Sequence, residues 1–148
     1  MWAKWAFESL LPQAALPPAA PLPAALLPAR IPLPAVPAGG RAALVVGRGE
    51  EADVQLDSPA YPCMLSRRHA LLTCEGPGAW HLADLGAPNG TAINRERVRA
   101  ADGARLLQHG DVVCFGRWAG QVVSEAQYLV HLIGTDWSDP GAVGSEEV

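Results

Sequence analysis

Three short polar loops hold the residues best suited to chemistry: Val46-Gly47-Arg48-Gly49, Leu65-Ser66-Arg67-Arg68-His69 and Ala87-Pro88-Asn89-Gly90-Thr91. Arg48 offers a rigid fork of donors that matches the oxygens of a dianionic phosphate. Ser66 adds a hydroxyl donor. Asn89 adds an amide able to pair with the backbone of an extended peptide, and Gly90 allows close approach and a positive φ. Each feature alone is weak. A Gly-Arg pair after a strand is ordinarily a turn with a solvated charge, and Arg67 or Arg68 alone reads as a surface arginine. If the loops meet at one end of a β-sandwich, they supply what is needed to hold a phosphate and the peptide beside it. Ser66, His69 and Asp84 also have the residue types of a hydrolase triad. The glycine pattern of a nucleophile elbow is missing, so binding is the stronger reading.

Short apolar segments between turn signals must position these loops, the pattern of an all-β sandwich. Residues 41–46 form an apolar run ending at the Gly-Arg pair. Val54-Gln55-Leu56 alternates between acidic and proline-containing turns. Residues 70–74 and 80–83 flank Glu75-Gly76-Pro77-Gly78 and read as a hairpin. Asn89-Gly90 is a favoured tight-turn pair. Residues 111–116 follow a glycine turn, and residues 121–133 offer one last long strand.

Composition divides the 148 residues into three regions. Residues 1–40 carry nine prolines and few charges. Proline every few residues over 12–40 denies the backbone its donors, so that stretch should be extended or disordered. It reads either as a linker or as a docking stretch for a proline-binding domain. Residues 1–11 fit a short amphipathic helix with an aromatic face, and Glu8 and Pro12 spoil them as a signal peptide. Residues 30–33 fit an edge strand. Residues 41–117 balance nine arginines against nine acids, whereas 118–148 hold five acids and no lysine or arginine. The net charge of -4 therefore sits mainly in the tail, and no cationic footprint for nucleic acid is present. Cys63, Cys74 and Cys114 lack the spacing of a zinc site or a disulfide framework. They fit reduced thiols in an intracellular compartment, nuclear or cytoplasmic. No apolar run approaches the ~20 residues needed to span a bilayer.

The order and spacing of the motifs over residues 41–117 resemble the forkhead-associated (FHA) domain, which binds phosphothreonine peptides. The resemblance implies an all-β, FHA-type β-sandwich over residues 28–133. A disordered Pro/Ala-rich segment at 1–27 would precede it and a short acidic disordered tail at 134–148 would follow. It also implies a phosphorylation-dependent protein-interaction module with phosphothreonine-containing partners, and no catalysis, cofactor, metal, direct nucleic acid or membrane. By the same resemblance Arg48 and Ser66 contact phosphate, and Asn89 and Gly90 meet the peptide backbone. One or both of Arg67 and Arg68 meet the phosphate or acidic peptide residues. Gly47, His69, Asp84 and Asn94 take supporting roles, with His69 bracing the loops and Asn94 a turn. The family begins with a pair of strands before its Gly-Arg motif. Here either residues 1–11 supply the first across a long loop, or that edge of the sandwich is incomplete.

Residues 61–69 and 93–98 look most like the FHA domains of RING-finger ubiquitin ligases in DNA-damage signalling. No Cys/His array of a RING accompanies them, so only the reader module carries over. One departure stands out: Ala87-Pro88 replaces the serine or threonine residues that commonly precede the family's Asn-Gly. A phosphate-independent scaffold or dimerisation module is the alternative that this departure favours.

Overall fold

The computed structural model describes residues 2–10, 27–75 and 79–136. In chain order the strands are β1 (Trp2–Ser9), β2 (Arg30–Pro32), β3 (Arg41–Gly47), β4 (Val54–Gln55), β5 (Ala70–Glu75), β6 (Trp80–Asp84), β7 (Thr91–Ile93), β8 (Glu96–Arg97), β9 (Arg105–Leu106), β10 (Val112–Phe115) and β11 (Gln127–Asp136). They form two sheets, in the orders β2-β1-β11-β10-β7-β8 and β4-β3-β5-β6-β9. Among the described residues no helix is long and apolar enough to cross a membrane.

Period-two alternation explains the second sheet. Ala70, Leu72 and Cys74 of β5 are buried, as are Trp80, Leu82 and Asp84 of β6, while the residues between them are half-buried. The antiparallel register sets Leu72 opposite Leu82 and Cys74 opposite Trp80, so one face of both strands enters the core together. The facing sheet contributes Phe7, Phe115 and Tyr128, whose ring centroids lie 6.3–6.5 Å apart. Burial pushes the Cys114 thiol up to about 12 and raises Cys74 as well, so both behave as small apolar groups.

The helix expected over residues 1–11 is corrected, and of the two readings of the family's first strand the one in which these residues supply it holds. Residues 2–9 form a strand instead of an amphipathic helix, and β1 lies between β2 and β11. The sandwich therefore includes residues well before the expected start at 28. Trp5, Ala6 and Phe7 are all buried. Aromatic residues at positions 5 and 7 suit a strand, and a short apolar run cannot by its period alone separate strand from helix. At the other end, β11 runs to Asp136, past the expected boundary at 133. Met1, the proline-rich residues 11–26, residues 76–78 of the expected turn and residues 137–148 of the expected acidic tail lie outside the described residues.

Turns form at both Asn89-Gly90 and Asn94, but the hairpin geometry falls on the second. The two-residue hairpin loop is Asn94-Arg95, joining β7 to β8 with φ of 51° and 68°. Positive φ at both positions matches the twist of the flanking strands. Asn89-Gly90 instead closes a four-residue turn in which the Gly90 N–H donates to the Ala87 carbonyl.

Candidate functional site

Strand register brings four loops to one end of the sandwich. Val46 of β3 pairs with Ala70 of β5, and Ala70 pairs with Asp84 of β6, so β3 and β6 end where β5 begins. In the other sheet Thr91 opens β7 opposite Phe115, which closes β10. The Thr91 hydroxyl donates to Asp84 Oδ1 at 2.7 Å and ties the two sheets together at that end. The other carboxylate oxygen of Asp84 accepts the Gly86 and Ala87 N–H groups at 2.9 and 3.1 Å. Asp84 thus anchors the start of the loop that carries Asn89.

Gly47 lets the first two loops touch. A Cβ at this position would lie 2.1 Å from the Arg67 carbonyl oxygen, so only glycine fits. The close approach allows the Arg48 and Gly49 N–H groups to donate to the Ser66 and Arg67 carbonyls at 3.0 and 3.2 Å. The half-buried Arg48 side chain donates through Nε to the Leu65 carbonyl at 2.8 Å. That bond fixes the guanidinium while its terminal nitrogens have no hydrogen-bond or ion-pair partner among the described residues. The Ser66 hydroxyl likewise has none, and the exposed Arg67 and Arg68 line the same groove as Arg48. Glu50 and Glu51 also line it.

His69 is fully buried and joins the second loop to the third. The Ser66 N–H donates to Nδ1 at 3.0 Å, which places the imidazole proton on Nε2, 2.6 Å from the Gly90 carbonyl it donates to. Desolvation lowers the His69 pKa, and the Gly90 carbonyl and the Asp84 charge offset part of that effect. The ring also meets Phe115 edge-on, with centroids 6.1 Å apart. Ser66 meets the imidazole through its backbone, and Asp84 spends its oxygens on Thr91 and the 86–87 backbone. The Ser-His-Asp relay of a hydrolase is not assembled.

Asn89 closes the arrangement. Its amide nitrogen donates to the Cys63 and Met64 carbonyls at 3.3 and 3.0 Å, linking the third loop to the second. Its Oδ1 accepts from Arg117 Nε at 3.2 Å. Arg117, in the loop after β10, is a site residue that sequence reasoning missed. The available signal was repetition: Gly116-Arg117 follows a strand just as Gly47-Arg48 does. Asn94 is placed elsewhere. It sits at the far end of β7, where its side chain donates to Asp111 Oδ1 at 2.9 Å and accepts the Val112 N–H at 2.8 Å.

A two-sheet sandwich with Arg48, Ser66 and Asn89 on adjoining loops defines a class of ligand-binding scaffold, and comparison with known proteins says which. Residues 44–116 match the family model described as FHA domain. The mouse (Mus musculus) E3 ubiquitin-protein ligase RNF8 is 32% identical over 94 residues, covering 64% of this chain and 19% of the ligase. The glycogen accumulation regulator GarA of Mycolicibacterium smegmatis is 35% identical over 96 residues, covering 65% of this chain and 49% of the regulator. The chain thus spans less than half the length of either relative. A solved FHA domain from a study of phosphothreonine-dependent interactions superposes with a TM-score of 0.54 at 19% identity, covering 87% of this chain and 96% of that one. The chain belongs to the FHA domain family, and the family match spans β3 to β10.

Proposed function

We propose that this chain is a phosphothreonine-peptide reader that brings proteins together when one of them is phosphorylated. Arg48, Ser66, Arg67, Arg68, Asn89 and Gly90 form its contact surface. One observation carries the reading: the Arg48 guanidinium is fixed through Nε while its outer donors stay unpaired among the described residues, beside a Ser66 hydroxyl in the same condition. Such preorganised donors suit a dianion, since the cost of ordering them is met in the folded protein. Asn89 Oδ1 accepts one bond from Arg117 and keeps a second lone pair for a peptide N–H. Family membership supports binding over catalysis.

The similarity to the mouse ligase covers 19% of that protein, and its ligase activity is not carried to this chain. A setting in DNA-damage or cell-cycle signalling, nuclear or cytoplasmic, extends the proposal on the strength of the sequence resemblance.

The test is calorimetric titration of phosphothreonine peptides beside their unphosphorylated twins. Only the phosphorylated set should bind. Arg48→Ala removes charge-assisted bonds worth about 1.5 to 3 kcal/mol, so affinity should fall roughly tenfold to more than a hundredfold. Equal binding of both sets would replace this reading with the phosphate-independent scaffold that Pro88 favours.

A further inference from the structure

The outward face of the five-stranded sheet departs from the rule that the solvated face of an antiparallel sheet is polar. Ala42, Leu44 and Val46 of β3 face the core, as do Ala70, Leu72 and Cys74 of β5, so the residues between them point away from it. The register sets these outward residues in rows. Val45, Leu71 and Ala83 form one row, and Ala43, Thr73 and His81 form the next. Neither row holds a lysine, an arginine or a carboxylate. Ala43 is exposed, the other five are half-buried, and none of the six belongs to the core cluster.

A third row ends the face with charge. Arg41 and Glu75 are register partners, both exposed, and neither has an ion-pair partner among the described residues. Asp53, on the β4 side, spends one carboxylate oxygen on the Val45 N–H at 2.8 Å.

We propose that this face pairs with the same face of a second copy of the chain. The charges select both the occupant and the axis. A two-fold axis over β5 sets Glu75 against the partner's Glu75, which is repulsive. An axis running along the strands between β3 and β5 sets Arg41 of each copy against the partner's Glu75, so the face is complementary to itself. The same axis lays Val45 over the partner's Leu71 and Ala43 over the partner's Thr73, apolar on apolar and small on small. Packed sheets cross at about −30°, so the two faces separate toward their ends, where long side chains such as arginine and glutamate still meet.

Area sets the strength. Four strands about 4.8 Å apart and five residues of about 3.3 Å each span roughly 300 Å² of face per copy, against about 800 Å² in a standard interface. Association is therefore weak and governed by local concentration. A two-fold axis along the strands leaves both copies pointing the same way, which puts their two Arg48 loops at one end of the dimer. The dimer does not depend on the phosphothreonine reading, but its use does: paired sites suit a partner that carries two phosphothreonines.

The experiment is sedimentation velocity of the full chain without peptide, at low ionic strength, from micromolar to near-millimolar concentration. The average mass should rise from one chain toward two. Arg41→Glu and Glu75→Arg each bring like charges together and should weaken association about tenfold. Mixed one to one, the two variants bring opposite charges together at both contacts, and association should return to about the parent level. Leu71→Gln in both members of the mixture should abolish that return, because the apolar rows supply the burial. Thermal melts of each variant check that folding is intact. A chain that stays monomeric throughout overturns the dimer, as do variants that associate like the parent. A mixture no stronger than its components overturns the axis. A peptide with two phosphothreonines on a long flexible linker should bind the parent at least about threefold more tightly than the Arg41→Glu variant, while a singly phosphorylated peptide binds both alike. Equal binding of the doubly phosphorylated peptide overturns the paired use. Failure of every phosphopeptide to bind, with the dimer intact, overturns the phosphothreonine reading alone.

Discussion

Replacing Gly47 with alanine isolates the contact on which the site is built. Gly47 is not in the left-handed region, so the cost of a methyl group there is steric and can be read from distances. The added carbon would lie 2.1 Å from the Arg67 carbonyl oxygen, 2.6 Å from its carbon and 2.8 Å from the Ser66 oxygen. All three atoms are backbone, so no rotamer change relieves the clash. The second loop must retreat by about 1.3 Å or more to reach ordinary contact. That retreat stretches the bonds from Arg48 N and Gly49 N, now 3.0 and 3.2 Å, past the working limit of about 3.5 Å. Two lost bonds cost about 1 kcal/mol each, and overpacking adds about 1 to 3 kcal/mol. Alanine's stiffer backbone returns about 0.5 to 1 kcal/mol. The net loss should be about 2 to 4 kcal/mol, a large share of a small domain's stability. Urea melts measure it, and titration with a phosphothreonine peptide should show binding weakened beyond what the unfolded fraction explains. A melt within about 0.5 kcal/mol of the parent, with affinity intact, would refute the claim that this approach holds the two loops together.

Other consequences can be measured directly. Deleting residues 1–10 removes a strand from between β2 and β11 together with buried Trp5 and Phe7. At about 3 to 5 kcal/mol for each such side chain, the truncated chain should not fold; a cooperative thermal melt would contradict β1's place in the sheet. His69 has a folded-state pKa below its ordinary 6.5, so the unfolded chain binds more protons between the two values. Stability should be complete above about pH 6.5 and decline as pH falls through the folded value, because a proton on Nδ1 breaks the bond from the Ser66 N–H. Melting temperatures from pH 8 to 5 should show that decline, and His69→Gln should flatten it; an unchanged profile would refute the buried neutral imidazole. Pro88→Thr adds a hydroxyl beside Asn89, and a bond to a charged acceptor is worth about 1.5 to 3 kcal/mol against several tenths lost in loop rigidity. Calorimetry should show several-fold tighter phosphopeptide binding, and weaker binding would mean that Pro88 shapes the loop.

The strands most legible in the sequence were the apolar runs bounded by strong turn signals. Residues 70–74 and 80–83 flank a glycine- and proline-containing stretch and fall in β5 and β6. β1 was harder because its partner β11 lies more than a hundred residues away, and local period cannot reveal a pairing that distant. Asn89-Gly90 has the composition of a hairpin turn, but Pro88 ahead of it favours the four-residue turn in which its φ suits the second position. The hairpin turn went to Asn94-Arg95, where arginine gives no compositional warning of positive φ. At the site, residue types were legible and partners were not. Nothing local says that the Asn89 amide reaches Met64, 25 positions earlier, or that Arg117 reaches Asn89 across 28 positions.

The central claim, that a phosphate docks at Arg48 and Ser66 with its peptide backbone against Asn89, is tested most directly by nuclear magnetic resonance. A ¹⁵N-labelled chain is titrated with a phosphothreonine peptide and with its unphosphorylated twin, following backbone amides, the Asn89 side-chain amide and the Arg48 Nε–H. The account predicts that the phosphorylated peptide shifts Arg48 Nε–H, Ser66, Arg67 and Asn89 together, and that the twin shifts none of them. Shifts confined to the opposite end of the sandwich, around Asn94 and Asp111, or equal shifts from both peptides, would contradict it.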